Sequence, residues 1–267
     1  MKMATKSELR GPKRPRADTR ASLIRAAEKL FAARGVDAVS LREVSAAAGQ
    51  ANNSAVAYHF GSREGLVDAI LERHSTPIQA RYAAQSELLE RQGSSSLRTL
   101  VEVLVLPIVA KLDDPDGGWE YLSLAAQLSV NPRLPLAERP VAQTPAVLRL
   151  MGLLAPFTRT RPELMLFRFD RMANTIYASI VSWHRLSREG FVGVSRLAFE
   201  QDLVDSLVDI LQRASSPETC AALAAPPAAR NQAGGAKAAR PPAVKTARRT
   251  AKASRAKSAP RRSQGDR

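Results

Sequence analysis

Several side chains that could do chemistry lie close together between residues 52 and 65, in the stretch NNSAVAYHFGSREG. Two asparagines and a serine precede Tyr58 and His59 there, and such groups can transfer protons, bind a metal ion or exchange hydrogen bonds with a ligand. The other histidines, His74 and His184, are distant in the sequence, and no cysteine or carboxylate cluster has the spacing of zinc ligands. No metal site is predicted.

Catalysis is not predicted either. The sequence contains no G-x-G-x-x-G, P-loop, G-x-S-x-G or HExxH motif, and we find no paired acid and base in its helical patterns. We therefore expect no cofactor, and we interpret the polar groups of residues 52–65 as binding groups rather than as those of an enzyme.

Helical periodicity describes the segments that must position these groups. A stripe of apolar residues predicts a first helix that begins near Asp18 or Thr19 and ends at Gly35. Ser40 and Glu43 have the spacing of a capping box, in which each side chain bonds the other residue's backbone amide. This box predicts the start of a short second helix.

The next elements are also short. Gly49 ends the second helix, and a third helix is predicted from about Asn53 to Phe60, with Val56 and Phe60 in the core. Ser62 is the predicted start of a fourth helix. Three short helices with a tight turn between the second and the third describe a helix-turn-helix.

The remainder of the chain predicts long helices separated by proline and glycine, with few strand signals. Beyond about Pro217 the composition is mainly Ala, Pro, Lys, Arg and Ser, which cannot bury enough apolar surface to offset the entropy of ordering. The predicted fold class is all-α, with disordered basic tails. The predicted domains are a basic arm over 1–18, a helix-turn-helix domain over 19–74, a helical domain over 75–216 and a disordered tail over 217–267.

Residues 19–71 resemble the DNA-binding domain of TetR-family transcriptional regulators. The matching features are Ala-Ala-x-x-Leu-Phe in the first helix, Ser-Leu-Arg-Glu-Val at the second, an Ala-Gly turn, and His-Phe followed by Ser-Arg-Glu-x-Leu. Together these features are specific, whereas the later helices match the family only in number, length and order. The resemblance implies that the helical domain senses a small molecule and forms a homodimer.

The helix-turn-helix predicts contacts with double-stranded DNA, because the N-terminal residues of its recognition helix enter the major groove. Asparagine can pair with N6 and N7 of adenine, while aromatic residues near the helix end and arginines at helix starts can reach phosphates. Asn52 or Asn53 could instead only cap the helix, and Tyr58 could be purely packed. The predicted DNA-binding residues of this unit are Arg42, Asn52, Asn53, Ser54, Ala55, Tyr58, His59 and Arg63.

The formal net charge of +15 lies in the two ends of the chain. Residues 1–20 contribute +5 and residues 226–267 contribute +11, whereas the residues between them sum to −1. This distribution predicts a polyanionic partner held by flexible arms, with nucleic acid as the leading candidate. Lys13, Arg14 and Arg16 either enter a minor groove or only increase solubility.

The C-terminal tail supports a second hypothesis. The segment AKAARPPAVKTARRTAKASRAKSAPRR resembles the tails of linker histones and of some bacterial nucleoid proteins. Its cations have no aromatic partners, which suits neutralisation of phosphates without readout of bases. On this hypothesis the protein is a nucleoid-associated architectural protein that acts mainly through its tail.

The resemblance also assigns roles to the helices after residue 97. Two apolar helices, over 163–187 and 195–214, are expected either to form a four-helix dimer interface or to pack only inside the protomer. The residues expected to line an effector pocket, or simply to fill the core, are Trp119, Tyr121, Met151, Phe157, Met165, Phe169 and Tyr177.

The combined prediction is a transcriptional regulator, and specifically a repressor, that binds a palindromic operator as a dimer and is released by a small molecule. The single cysteine, Cys220, fits a reducing compartment, and no apolar run approaches the roughly 18 residues that span a bilayer. We therefore expect a cytoplasmic, nucleoid-associated protein without a membrane partner.

Overall fold

A computed structural model describes residues 16–224, except for residues 51, 53, 94, 136, 137 and 192. The secondary structure of these residues is helical, without a strand, so the all-α prediction is confirmed. By its contacts the chain divides into one compact unit over 1–220 and a second over 221–267. In chain order the helices are α1 (Arg16–Arg34), α2 (Leu41–Ala47), α3 (Ala55–Phe60), α4 (Arg63–Gln92), α5 (Leu97–Val109), α6 (Gly118–Ser129), α7 (Pro145–Leu154), α8 (Met165–Arg188), α9 (Arg196–Gln212) and α10 (Pro217–Ala224).

Helix α1 forms the base of the N-terminal bundle. Leu23, Ala27 and Phe31 recur at a spacing of four residues, and all three are completely buried. Helix α1 packs against α2, α4 and α6. The helix begins earlier than predicted, at Arg16, so Asp18 lies in the first turn, where a negative charge favours the helix dipole, rather than at the N-cap.

Helix α4 belongs to both halves of the molecule. It starts at Ser62, whose hydroxyl accepts a bond from the Gly65 amide at 3.1 Å, and it continues for 30 residues to Gly93. The domain boundary predicted between residues 74 and 75 therefore falls inside one helix, which contacts α1 as well as α5, α6 and α7.

Helix α6 is the centre of the C-terminal half. Tyr121, Leu122, Leu124 and Leu128 on it are buried, and it packs against α8 and against α1. Because α1 and α6 touch directly, the N-terminal helices and the C-terminal helices share one continuous core.

The apolar stripes of α8 and α9 face the inside of the protomer. Met172, Ile176 and Ile180 on α8 are buried, and so are the residues of α9 at helical spacing from Phe199 to Leu211. These two helices pack on each other, with α8 also against α6 and α9 against α5. Of the two expectations, packing inside the protomer applies to these stripes, so a dimer through α8 and α9 would need their outer surfaces.

The start of the tail differs from the prediction of disorder from residue 217. Pro217–Ala224 forms α10, which opens with Pro217 and contains helix-favouring alanines. The Ser216 hydroxyl accepts a bond from the Thr219 amide at 3.2 Å, as an N-cap does. Residues 225–267 lie outside the described residues, as do Lys13 and Arg14 of the arm. Among the described residues, no helix combines the length and the apolar character needed to cross a bilayer.

Truncation of Leu122 tests whether α6 is the centre of the core. The Leu122→Ala protein should lose about 2–5 kcal/mol of unfolding free energy, because the removed atoms leave a cavity where no solvent reaches. Urea denaturation measures this loss. Leu148→Ala on α7 is the matched control, since that side chain is 58% exposed and should change stability by less than about 0.5 kcal/mol. Equal losses in the two variants would contradict the packing described.

Candidate nucleic-acid interface

The turn between α2 and α3 depends on a glycine. Gly49 has a φ of +69°, a left-handed conformation that residues with a Cβ rarely adopt, and its amide bonds the Ala46 carbonyl at 3.0 Å. The Gln50 amide then bonds the Ser45 carbonyl at 2.9 Å. This closure ends α2 and directs the chain toward α3, as the sequence predicted.

The start of α2 is fixed by the predicted capping box, which is confirmed. The Ser40 hydroxyl accepts the Glu43 amide at 3.2 Å, and Glu43 Oε2 accepts the Ser40 amide at 2.8 Å. Arg34, the last residue of α1, donates to Glu43 Oε1 at 2.8 Å. The bond from the Ser40 amide is the largest cause that lowers the pKa of Glu43 to about 2, followed by bonds from the Ser40 hydroxyl and Arg34.

Arg63 holds the loop between α1 and α2. Its Nη1 donates to the Val39 carbonyl at 2.6 Å and also to the Val36 carbonyl. The sequence predicted a phosphate contact for this guanidinium because it stands at the start of a helix. Two loop carbonyls already occupy that nitrogen, so we interpret Arg63 as the residue that positions α2 relative to α4.

Helix α3 presents one face to the core and the other to solvent. Ala55 and Val56 are buried, at 8% and 0% exposure, whereas Ser54, Ala57 and Tyr58 are exposed. Ala55, predicted among the DNA-binding residues, is therefore part of the core and not of the outward face. The outward face of α3 remains the candidate interface.

The aromatic end of α3 spans the boundary between core and solvent. Tyr58 is 62% exposed, and its ring meets the ring of His59 edge-on with centroids 5.1 Å apart. His59 and Phe60 are half-buried, and Phe60 packs against the core. Tyr58 and His59 thus offer polar groups at the surface while Phe60 anchors the helix.

Asn52 and Ser54 are linked just before α3. Asn52 Oδ1 accepts the Ser54 amide at 3.0 Å and the Ser54 hydroxyl at 2.5 Å. The backbone amide can only donate, so the atom facing it is the amide oxygen of Asn52. A two-bond pairing of Asn52 with adenine would need that oxygen, which leaves the NH₂ group of Asn52 as its donor to DNA. Asn53 lies outside the described residues.

Two arginines complete the surface around α3. Arg42 is exposed in the first turn of α2, where the sequence expected a phosphate contact. Arg20 of α1 is exposed, and its guanidinium lies 5.2 Å from the centre of the Phe60 ring. Arg20 was not predicted, because its proximity to α3 results from tertiary packing and leaves no local pattern in the sequence. Arg16 is the first residue of α1.

The residues predicted for an effector pocket lie on the expected helices, and three of them make aromatic contacts or hydrogen bonds with their neighbours. Tyr121 and Tyr177 are buried with hydroxyl oxygens 3.3 Å apart, and Tyr121 stacks on His74 with ring centroids 5.1 Å apart. Trp119 packs on His184 with centroids 4.2 Å apart. The rest are half-buried: Met151, Phe157, Met165 and Phe169.

Two surface clefts lie elsewhere in the described structure. One of about 560 Å³ lies between α1 and α4, and another of about 420 Å³ lies between α4 and α7. Neither is lined by the predicted pocket residues. Among the described residues, no group of three or more His, Cys, Asp or Glu side chains could hold a metal ion.

The tight turn, the buried side of α3 and its exposed polar start define a helix-turn-helix DNA-binding domain. Residues 23–70 match the family model of bacterial regulatory proteins of the tetR family. This match agrees with the resemblance of residues 19–71 to the DNA-binding domain of that family.

Two curated relatives match part of this chain in sequence, and a solved structure resembles its fold. An HTH-type transcriptional repressor of Mycobacterium tuberculosis and an HTH-type transcriptional regulator of Mycobacterium bovis are each 33% identical over 92 residues, which is 34% of this chain and 48% of theirs. The chain thus spans about half the length of the curated relatives it matches. A solved tetR family transcription regulator from Shewanella sp. PV-4 shares the fold: it is 13% identical with a TM-score of 0.51, over 72% of this chain and 96% of that one.

Replacement of Glu43 by glutamine tests the capping box through pH. The pKa of Glu43 is lowered from 4.5 to about 2 in the folded protein, so its ionised carboxylate stabilises the fold above pH 4.5 and loses this effect as the pH falls toward 2. Urea unfolding of wild type and Glu43→Gln should therefore differ most near neutral pH and converge under acid. Ser40→Ala should show the same trend, and a difference independent of pH would contradict the assignment.

Proposed function

We propose that this protein is a transcriptional repressor that binds an operator in double-stranded DNA as a homodimer and releases it when a small molecule binds among the C-terminal helices. The observation that carries the proposal is the exposed polar start of α3, held on a packed helix-turn-helix by Val56 and the Arg63 bonds. The repressor of Mycobacterium tuberculosis, a relative over part of its length, supports the direction of regulation.

The proposed contacts follow the geometry of the surface. Asn52, Asn53 and Ser54 precede or begin α3 and are assigned to base edges in the major groove. Phosphates are assigned to the exposed cations and to the aromatic end of α3: Arg20, Arg42, Tyr58 and His59. Lys13, Arg14 and Arg16 are assigned to an adjacent minor groove. Ala55 is left out because it is buried, and Arg63 because it bonds the loop between α1 and α2.

The proposed dimer uses the outer surface of α8. Leu166 and Phe167 at its first turn are 76% and 65% exposed, and Phe191 and Leu197 near its other end are 73% and 66% exposed. A two-fold axis across the middle of this helix would bring the first turn of one protomer against the far end of its partner. Such an arrangement would cover apolar side chains that a monomer leaves in water.

The proposed effector acts between α6 and α8. Trp119 of α6 packs on His184 of α8, and the hydroxyls of Tyr121 and Tyr177 are paired in the interior. Burial raises the pKa of both tyrosines, so each stays a neutral hydrogen-bonding group. We expect an effector with an apolar body and at least one polar group to compete for these hydroxyls.

Selection of bound sequences from a random DNA pool tests the proposal. The expected outcome is a palindromic consensus whose affinity exceeds that of random DNA at the same salt by about 10³ or more. Arg42→Gln should weaken binding to all sequences equally and lower the slope of log affinity against log salt by about one, since one phosphate contact is lost. Arg81→Gln, an exposed arginine on α4, is the matched control. A ratio near one would instead favour the architectural hypothesis.

The dimer surface is tested by a charge at position 167. Phe167→Glu should convert a dimer into a monomer in sedimentation or light-scattering measurements, because the interface would have to bury an unpaired carboxylate. Leu148→Glu on α7 is the control, since it also places a charge on an exposed apolar residue but outside α8. A dimer that survives Phe167→Glu, or dissociates with Leu148→Glu, would contradict the assignment.

A further inference from the structure

The DNA-binding helices are attached to the middle of α4 by a buried carboxylate. Glu28 of α1 is 2% exposed, and Arg73 Nη1 donates to both of its oxygens, at 2.8 and 2.9 Å. His74 Nε2 lies 3.0 Å from Glu28 Oε1. A buried carboxylate is tolerated only when such partners replace its water, so the position of α1 depends on these two residues of α4.

The loop before α6 closes over the same carboxylate. Arg73 Nη2 pairs with Asp116, and Asp114 Oδ2 lies 4.0 Å from His74 Nδ1 and 2.9 Å from Lys111 Nζ. A Cβ on Gly117 would stand 3.0 Å from Glu28 Oε2, which shows how closely the loop approaches. We call the set Glu28, Arg73, His74, Asp114 and Asp116 the Glu28 junction. It joins α1, α4 and the C-terminal half at one point.

The junction coincides with the weakest turn of α4. Pro77 lies inside this helix and has no N–H, so the carbonyl of Arg73 cannot receive its usual bond from the residue four positions later. The helix that carries the DNA-binding domain therefore lacks a backbone bond at the residue whose side chain grips Glu28. The contacts of Arg73 and His74 with Glu28 hold α4 in place at the turn where its backbone lacks one hydrogen bond.

A second contact provides a pivot. Gln127 of α6 donates to the carbonyls of Phe31 and Ala32 at the end of α1, at 3.2 and 3.4 Å. If the Glu28 junction opened, these neutral bonds would still hold one end of α1. The DNA-binding helices could then rotate about that end, with α4 yielding at Pro77.

We propose that the Glu28 junction fixes the angle between the DNA-binding helices and the C-terminal helices, and so sets the separation of the two half-sites that a dimer accepts. This inference rests on the proposed function as a dimeric operator-binding protein. Glu28, Arg73 and His74 are positioning residues here, since they lie inside the protein and act through the placement of α3.

A set of operators that differ only in spacing tests the junction. Two copies of the selected half-site are separated by spacers that change one base pair at a time, and full-length protein is titrated against each duplex. Wild type should prefer one spacing. In Glu28→Gln, which keeps the shape and removes the charge, this preference should fall about tenfold, or about 1.4 kcal/mol. Affinity for an isolated half-site should not change, because α3 is untouched.

The matched control is Glu90→Gln. Glu90 also stands on α4 and pairs with an arginine of another helix, Arg149 Nε at 2.8 Å, but that pair lies within the C-terminal half. It should leave the spacing preference intact. Equal loss of half-site affinity and of affinity at every spacing in Glu28→Gln would show that Glu28 only supports the fold of the DNA-binding domain, which overturns the proposal.

Restoring the backbone bond of α4 tests whether the junction acts by stiffening this helix at Pro77. Pro77→Ala supplies the missing N–H, so the double variant Glu28→Gln with Pro77→Ala should recover the spacing preference. Should Glu28→Gln fail to fold, Arg73→Lys keeps the charge, loses the two-bond grip and should relax the preference in the same way.

Failure of the inference and failure of the proposed function are separable. If wild type selects no consensus at all, the proposed function fails. If wild type prefers one spacing and both Glu28→Gln and Arg73→Lys keep that preference, only the role of the junction is overturned.

Discussion

One helix shared by two halves is the constraint on which the rest of this structure depends. The N-terminal turns of α4 pack under α3 and its C-terminal turns pack against α5 and α7. Any displacement among the C-terminal helices must therefore pass through α4, or through the direct contact of α6 with α1, to reach the recognition surface. The Glu28 junction lies where these two routes meet, which is why we regard it as the coupling point of the molecule.

Several polar side chains near α3 already have hydrogen-bonding partners within the protein. Arg34 and Ser40 bond Glu43, and Arg63 bonds the loop between α1 and α2. These charged groups therefore position α2 rather than contact a ligand. Asn52 and Ser54 bond each other before α3. Preorganisation of this kind reduces the entropy lost when a surface meets its ligand, and it leaves the exposed face of α3 for discrimination between sequences.

Local features of the fold were readable from the sequence, whereas long-range ones were not. The capping box of Ser40 and Glu43 and the glycine turn at Gly49 are determined by neighbours within a few residues, and both were predicted. The inward position of Ala55 depends on the rotation of a six-residue helix, and the bonds of Arg63 to Val36 and Val39 join distant residues. Periodicity identified the apolar stripes of α8 and α9 but could not say whether a partner or the protomer itself would cover them.

We propose that two copies of α3 contact two half-sites of the DNA from a rigid frame. Hydroxyl-radical footprinting on a selected operator measures this most directly, since it maps protein contact along each strand. Two symmetric protected tracts are expected on one face of the DNA, with centres about 10 base pairs apart or a multiple of that spacing. Continuous protection without a defined centre, spreading along the duplex as protein is added, would contradict it.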